Sequence, residues 1–233
     1  MRSLLVCAAL LEVTSVRAQT TYTYTGTNYT SIVNYSSCTS GAGTCGTFTN
    51  SMSVNASFTV PSLLAPSQTS KDISNQVSSW SFSDGLTTIN STDSNARVFV
   101  FTVSTDANGH ISGANILVEL WQSGSSPHTA NTDRFAWVRV STPAQGFYND
   151  LCTSVGNGGG LLAQPDTCTD DAAPHVYTSY ANGSGAWTGG GLTTTVPTLG
   201  RWGMVGLSLL LLLCALWQLS RKRLGEAEGK AKL

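Results

Sequence analysis

Apolar and polar residues alternate with a period of two through most of the chain between residues 20 and 192. In residues 52–60, Met, Val, Ala, Phe and Val alternate with Ser, Asn and Thr. Residues 21–25 and 79–83 repeat the pattern, with aromatic rings between hydroxyl side chains. This alternation is typical of β-strands that bury one face and expose the other to water.

Turn signals separate these strands. Asp84-Gly85 follows the strand at 79–83 and predicts a tight hairpin. Residues 98–103 are apolar on both faces, which predicts a central strand, and the polar run at 105–109 turns that strand back. Further strands are predicted at residues 86–89, 111–121, 135–140 and 176–180.

Seven to ten short strands follow from this pattern, and no stretch of ten residues outside the two ends keeps a helical stripe. The sequence therefore predicts an all-β fold, an antiparallel β-sandwich of jelly-roll or immunoglobulin-like type, at residues 19–181. The Gly/Thr-rich residues 182–195 are expected to link this domain to the C-terminal end.

Charged residues are scarce. They make up 11% of the 233 residues, against roughly 25% in an average soluble domain. A net charge of −1 argues against a nucleic-acid-binding surface. Residues 19–200 hold ten acidic and four basic side chains, a net of −6. We therefore expect an acidic domain that does not attract anionic polymers without bridging cations.

Residues 1–18 have the features of a secretory signal peptide. Arg2 gives a positive start, residues 4–11 form an apolar core, and Val16 and Ala18 place small residues before Gln19. The chain is therefore expected to be exported.

Residues 202–219 form an uncharged run of 18 residues. At about 1.5 Å per residue this run spans roughly 27 Å, close to the ~30 Å hydrocarbon core of a bilayer, which predicts one transmembrane helix. Arg221, Lys222 and Arg223 follow at once and are expected to remain in the cytoplasm with the tail at 224–233. This orientation places the β-domain outside the inner membrane.

A short motif precedes the apolar run. Its residues are Val196, Pro197, Thr198, Leu199, Trp202 and Gly203. Together with the apolar run and the basic cluster, residues 196–223 resemble the IPTL-CTERM sorting signal, a relative of the PEP-CTERM signal of bacterial envelope proteins. The motif matches the family position by position, except that Val196 stands for the usual Ile and Gly200 stands where Ser is common.

The resemblance implies recognition by an exosortase, a membrane cysteine protease or transpeptidase. Pro197 keeps the preceding residue extended and offers no N–H. An extended segment just outside the bilayer suits a protease cleft. An ordinary membrane anchor with a proline-containing stalk is the alternative.

Four cysteines lie between the two end segments: Cys38, Cys45, Cys152 and Cys168. An even number in an oxidising compartment predicts two disulfides. Of the three pairings, Cys38–Cys45 and Cys152–Cys168 are preferred because each closes a local Gly-rich loop. A zinc site is the alternative, although these spacings lack the closely spaced cysteine pairs that zinc sites usually show.

Motifs for catalysis are missing from the sequence: there is no nucleophile elbow, no His-Glu-x-x-His and no phosphate loop. We therefore expect a protein that is not an enzyme and has no cofactor. His110 lies at a predicted turn, and His128 and His175 follow prolines, so all three are expected on surface loops.

Glu119 is the only Glu between residues 19 and 200. It alternates with Leu117 and Trp121 on one face of a predicted strand and is expected to face outward. A glycosidase would need a second carboxylate across a cleft from it.

Aspartates are concentrated around the second predicted disulfide: Asp150, Asp166, Asp170 and Asp171. Carboxylate oxygens suit Ca²⁺, but the spacing fits no calcium loop. A solvated acidic loop is the expectation, and no metal is assigned.

These features favour an exported structural or matrix-associated surface protein, with the inner membrane and an exosortase-type transpeptidase as partners. A carbohydrate-binding or adhesive module, with exopolysaccharide as the ligand, is the alternative, because aromatic side chains stack on sugars. The candidates for such stacking are Trp80, Trp121, Trp137 and Trp187. A secreted hydrolase is the least favoured class.

Overall fold

The computed structural model describes residues 19–37, 43–173 and 175–190. These residues form thirteen β-strands and one short 3-10 helix, Ser74–Gln76. The strands are β1 Thr20–Gly26, β2 Ser31–Val33, β3 Asn55–Val60, β4 Lys71–Asp72, β5 Ser79–Ser83, β6 Thr88–Asn90, β7 Ala96–Thr105, β8 Ile111–Trp121, β9 Arg134–Val140, β10 Ala144–Gly156, β11 Thr167–Asp171, β12 Ser179–Gly183 and β13 Gly185–Gly189.

The strands form two antiparallel sheets, which confirms the all-β prediction. The five-stranded sheet has the order β13-β1-β3-β5-β6. The eight-stranded sheet has the order β2-β12-β10-β9-β8-β7-β4, and β11 pairs with β10 beside this path. Every strand pair in both sheets is antiparallel.

The two sheets share one apolar core, as expected of a β-sandwich. Phe58 and Phe82 of the five-stranded sheet pack edge to face on Phe101 of the eight-stranded sheet, at centroid distances of 5.1 and 6.1 Å. Ile116 and Val138 of the eight-stranded sheet are fully buried in the same cluster. Burial of these apolar side chains is the main force that holds the sheets together.

The predicted hairpins are confirmed. β5 and β6 pair with Ser83 opposite Thr88, and Gly85 takes the positive φ of 91° that this turn needs. Asp84 closes the turn because its Oδ1 accepts hydrogen bonds from the backbone N–H groups of Leu86 and Thr87. The strands β7 and β8 form the second predicted hairpin.

Two strand predictions and the predicted linker need correction. β7 is not central, since only the two-residue strand β4 lies beyond it in the sheet. The strand predicted at 176–180 begins at Ser179. Most of the residues 182–190 that were predicted to begin a linker belong instead to β12 and β13, and β13 pairs with β1.

The outer face of the five-stranded sheet carries only small uncharged side chains. They are Thr21, Thr23, Thr25, Asn55, Ser57, Thr59, Ser79, Ser81, Ser83, Thr88, Asn90, Ala186 and Thr188. All are exposed or half-buried. Hydroxyl groups bridge strands on this face, for example Thr21 and Thr59 with Oγ1 atoms 3.0 Å apart. This face therefore needs no further cover in water.

Helices long and apolar enough to cross a membrane are absent from the residues that the structure describes. The predicted signal peptide at 1–18, the remainder of the linker, the span at 202–219 and the tail at 224–233 lie outside those residues.

Candidate functional site

The outer face of the eight-stranded sheet differs from its five-stranded counterpart because it carries ionisable and aromatic side chains in one row. Cross-strand pairing places Arg97, Glu119, Trp137, Phe147 and Tyr180 side by side on five neighbouring strands. The rings of Trp137 and Phe147 stack at a centroid distance of 3.8 Å, and Phe147 stacks on Tyr180 at 5.1 Å. This row forms the floor of the site.

The strand β11 covers part of this floor. β10 pairs with β9 and β12 through its first half and with β11 through its end. The Cys152–Cys168 disulfide, with Cα atoms 5.7 Å apart, fastens β11 to β10. Both cysteines are buried in a second apolar cluster with Trp121 and Phe135.

A cleft of about 220 Å³ remains between the floor and β11. Its lining residues are Phe99, Leu117, Glu119, Phe135, Trp137, Arg139, Cys168, Thr169, Asp170 and Asp171. The apolar and aromatic side chains come from β7, β8 and β9, and two of the three carboxylates come from β11. We call this space the carboxyl cleft.

Glu119 is the most buried ionisable group of the carboxyl cleft, with 2% of its surface exposed. Its Oε2 accepts a hydrogen bond of 3.0 Å from the backbone N–H of Cys168. Burial raises the pKa of Glu119 well above its ordinary value, and the negative charge of Asp171 adds to this rise. Glu119 therefore holds β11 in place while keeping an affinity for a proton or another positive charge.

Asp171 is the second carboxyl of the cleft with an altered affinity for protons. Burial raises its pKa, and the neighbouring carboxylate of Asp150 raises it further. Asp150 is fully buried and receives hydrogen bonds from Trp137 Nε1 at 3.1 Å and from the Thr178 hydroxyl at 3.1 Å. The carboxyl of Asp171, which lines the cleft, is therefore repelled by the carboxyl of Asp150, which lies buried behind it.

His175 lies beside this pair of carboxyls. Its Nδ1 is 3.2 Å from Asp150 Oδ2 and 3.9 Å from Asp171 Oδ2. One ligand atom from each of the three residues lies within 4.8 Å of the others, a spacing that can hold a metal ion. Carboxylate and imidazole together are a ligand set for divalent transition metals such as zinc or manganese.

Arg139 supplies the positive charge of the carboxyl cleft. Its Nε donates a hydrogen bond of 3.0 Å to Asn115 Oδ1, which fixes the guanidinium beside Leu117 on the neighbouring strand. A guanidinium fixed in this way can present its remaining N–H groups to a ligand oxygen.

A separate buried network joins the loops next to the cleft. The ring of His128 stacks on Trp121 at 4.1 Å, and its Nδ1 lies 2.8 Å from Asp166 Oδ2. Arg97 and Trp121 also donate hydrogen bonds to Asp166. The His128 side chain is only 2% exposed. This network ties the loops together and does not face the carboxyl cleft.

The structure confirms one predicted disulfide, Cys152–Cys168. Cys45 is also disulfide-bonded, whereas Cys38 lies outside the described residues, so the predicted pair Cys38–Cys45 stays a prediction. The sorting-signal residues also lie outside them: Val196, Pro197, Thr198, Leu199, Trp202, Gly203, Arg221, Lys222 and Arg223.

The predictions for two of the histidines and for Glu119 have different outcomes. His110 is exposed at its turn, as predicted, beside Asp106. The prediction of a surface position is wrong for His128, which is buried, and Glu119 does not face solvent, although it shares a face with Leu117 and Trp121 as predicted.

The predicted acidic loop is divided between two places. Asp166 belongs to the buried network around His128, whereas Asp170 and Asp171 line the carboxyl cleft. Asp150 is buried and not solvated. A β-bulge between Phe147 and Asp150 explains this position, because the extra residue keeps Asp150 on the outer face, opposite Phe135.

No protein-family model, curated protein or solved structure matches the chain.

Proposed function

We propose that the chain is an exported bacterial envelope protein of structural or matrix type. In this proposal a signal peptide at 1–18 directs export. A helix at 202–219 anchors a jelly-roll or immunoglobulin-like domain outside the inner membrane, and an exosortase-type transpeptidase acts at the motif around Pro197. The Cys152–Cys168 disulfide supports export, since disulfides persist in oxidising compartments.

The intact mass of the protein from its native envelope, reduced and unreduced, tests this proposal. We expect a chain that begins near Gln19 and ends near residues 196–200. Reduction should add about 4 Da for two disulfides, because each bridge takes up two hydrogens. A mature chain that still carries residues 221–233 would reduce the motif to a plain anchor. A chain that retains residues 1–18 would argue against export.

Carbohydrate binding is the second candidate function, and the carboxyl cleft is the observation that favours it. Small-molecule sites combine aromatic walls with a few polar groups that fix orientation. In this cleft Phe99 and Phe135 supply aromatic surface, and Arg139 and Asp170 supply polar groups near the rim. The proposed role is binding without catalysis.

Binding of oligosaccharides to the full chain and to a Phe99→Leu variant tests this candidate. Phe99 is half-buried and lines the cleft, so its loss should weaken binding without unfolding the sheet. Tyr177→Leu is the matched control, because Tyr177 is an exposed ring outside the cleft. If both variants lost oligosaccharide binding equally, or if the unaltered chain bound no oligosaccharide, only the structural role would remain.

A further inference from the structure

We propose that the carboxyl cleft selects a cationic sugar, a hexosamine unit with a free ammonium group, over neutral or N-acetylated sugars. The inference rests on the proposed carbohydrate binding and adds the charge of the ligand. It is carried by the charge balance of the cleft, by the environment of Glu119, and by the size and aromatic character of the walls.

The charge balance of the cleft favours a cation. Three carboxyls, those of Glu119, Asp170 and Asp171, line it against the single guanidinium of Arg139, so a ligand ammonium group finds more partners there than a ligand carboxylate. Complementary charge suppresses wrong partners, because like charges brought together repel each other. An anionic uronate would meet this repulsion, whereas an ammonium group would not.

Glu119 presents to the cleft one carboxyl oxygen that no described residue binds. The residue is only 2% exposed, yet only Oε2 has a hydrogen bond, from the N–H of Cys168. The other oxygen, Oε1, accepts no hydrogen bond from the residues that the structure describes. Oε1 is not one of the fully buried atoms that lack a partner, so it faces the cleft, where an ammonium group can bind it.

The surroundings of Glu119 support this assignment. Arg97 lies directly across on β7, but it also binds Asp166, so its charge is shared. Arg139 approaches from β9, and Asp171 approaches from β11. The pKa of Glu119 is raised in this setting, first by burial and then by Asp171. A bound cation would favour the ionised carboxyl.

The dimensions of the cleft favour one sugar ring. A volume of about 220 Å³ lies below the roughly 300 Å³ at which pockets for drug-sized ligands begin. The walls formed by Phe99, Phe135 and Trp137 offer apolar surface for the C–H face of a pyranose, and they also attract an adjacent cation through their ring quadrupoles. The guanidinium of Arg139 can donate to ring hydroxyls.

Isothermal titration calorimetry of the full chain with three tetrasaccharides tests the proposal. The probes are the β-1,4-linked glucosamine tetramer, its fully N-acetylated form and cellotetraose, which share a backbone and differ in charge. We expect the glucosamine tetramer to bind at least tenfold more tightly than the other two at low salt. The preference should shrink as salt is raised, because ionic contacts near a surface are screened.

Three variants locate the binding. Glu119→Gln keeps an acceptor for the N–H of Cys168 but cannot ionise, and we expect it to weaken glucosamine binding at least tenfold. Asp170→Asn, at the exposed rim, should weaken binding by about two- to fivefold. Asp93→Asn removes one charge from an exposed turn outside the cleft and should leave binding unchanged.

The possible outcomes separate carbohydrate binding itself from selectivity for a cationic sugar. Equal binding of all three tetrasaccharides, lost in Phe99→Leu, would keep carbohydrate binding and overturn the selectivity for a cation. Selective binding of glucosamine that survives Glu119→Gln and Asp170→Asn would place the site elsewhere and overturn the proposal. Displacement of the glucosamine tetramer by equimolar Ca²⁺ or Mn²⁺ would show that the site is for a metal ion. No binding of any tetrasaccharide would overturn both claims.

Discussion

The two outer faces of the sandwich start from the same alternating pattern and end with different surroundings. On the five-stranded sheet every outward side chain is small and uncharged, and the face is open to water. On the eight-stranded sheet the corresponding positions carry Glu119, Trp137 and Phe147, and β11 closes over part of them. Hydroxyl side chains can remain in water, whereas a row of aromatic rings gains from cover.

The comparison shows where this fold can acquire a function. A second layer on one face creates an enclosed space in which carboxyls lose water and change their affinity for protons and cations. The open face has no such space: its shallow depression around Thr23, Ser57 and Ser81 is lined only by uncharged side chains. Four predictions test how far the two faces differ in their contribution to stability.

The largest effect is expected on removing the ring at the centre of the covered face. Trp137→Ala takes away an indole that stacks on Phe147 and donates to Asp150. We expect a loss of about 3–5 kcal/mol in the free energy of unfolding, as for other large-to-small changes at buried aromatic residues. Urea unfolding followed by fluorescence measures it.

Trp137→Phe is the matched variant for that experiment. It keeps a stacked ring but removes the hydrogen bond to Asp150, so its cost should be smaller than that of Trp137→Ala. A loss below about 1 kcal/mol for Trp137→Ala would mean that the covered face packs no better than the open one.

The disulfide comes next in size, because it holds the cover in place. Cys152 and Cys168 are separated by 16 positions, and closing a loop of about this length contributes roughly 3 kcal/mol. We expect the Cys152→Ser/Cys168→Ser double variant to lose about that amount. Hydrogen exchange should rise first at residues 167–171. An even rise over both sheets would contradict the assignment of β11 as a separately fastened cover.

The sequence predicted the strands that have a clear apolar pattern, alternating or continuous, and missed those that have none. The hairpin at 79–90 followed from Asp84-Gly85 between two alternating runs. β10 was missed although it is the longest of the described strands, since Gly146 and the bulge between Phe147 and Asp150 interrupt its alternation. β13 was missed because Trp187 is its only large apolar residue between glycines.

The carboxyl cleft could be predicted only in part, for a physical reason. Alternation correctly placed Glu119 on one face with Leu117 and Trp121. Its burial depends on β11, whose residues Thr167–Asp171 carry no apolar alternation. The position of β11 is set by long-range contacts, including the bond from Cys168 N–H to Glu119, and local patterns do not encode these.

The third prediction concerns a buried carboxyl on the five-stranded side. Asp84 is fully buried at the β5–β6 turn, where its Oδ2 has no hydrogen-bond partner among the described residues, and burial raises its pKa from 3.8 to about 6. The folded protein therefore binds this proton more tightly than the unfolded chain, so the contribution of Asp84 to stability is largest below about pH 4 and is lost as pH rises through about 6. Two pKa units correspond to roughly 3 kcal/mol.

Asp84→Asn should remove this dependence, because Asn keeps the Oδ1 acceptor for Leu86 and Thr87 and does not ionise. The stability of the variant relative to the natural protein should rise by roughly 3 kcal/mol between pH 4 and pH 7. Asp93→Asn, in an exposed turn, serves as the control in the same urea titrations. If the difference in stability between Asp84→Asn and the natural protein stayed constant with pH, the hydrogen bonds of the turn would already offset the cost of ionising Asp84.

The smallest effect is expected on the open face. Ser57 lies at the middle of the five-stranded sheet, opposite Thr23 and Ser81, and is half-buried by these neighbours alone. Ser57→Ala removes one hydroxyl from a face that water already solvates, so we expect a change within about 0.5 kcal/mol. Ser57→Val should be equally small or slightly stabilising, because β-branched residues favour strands. A loss above about 1.5 kcal/mol in either variant, measured in the urea titrations used for Trp137→Ala, would mean that the hydroxyl rows carry cross-strand energy of their own. The two faces would then differ in chemistry but not in their contribution to stability.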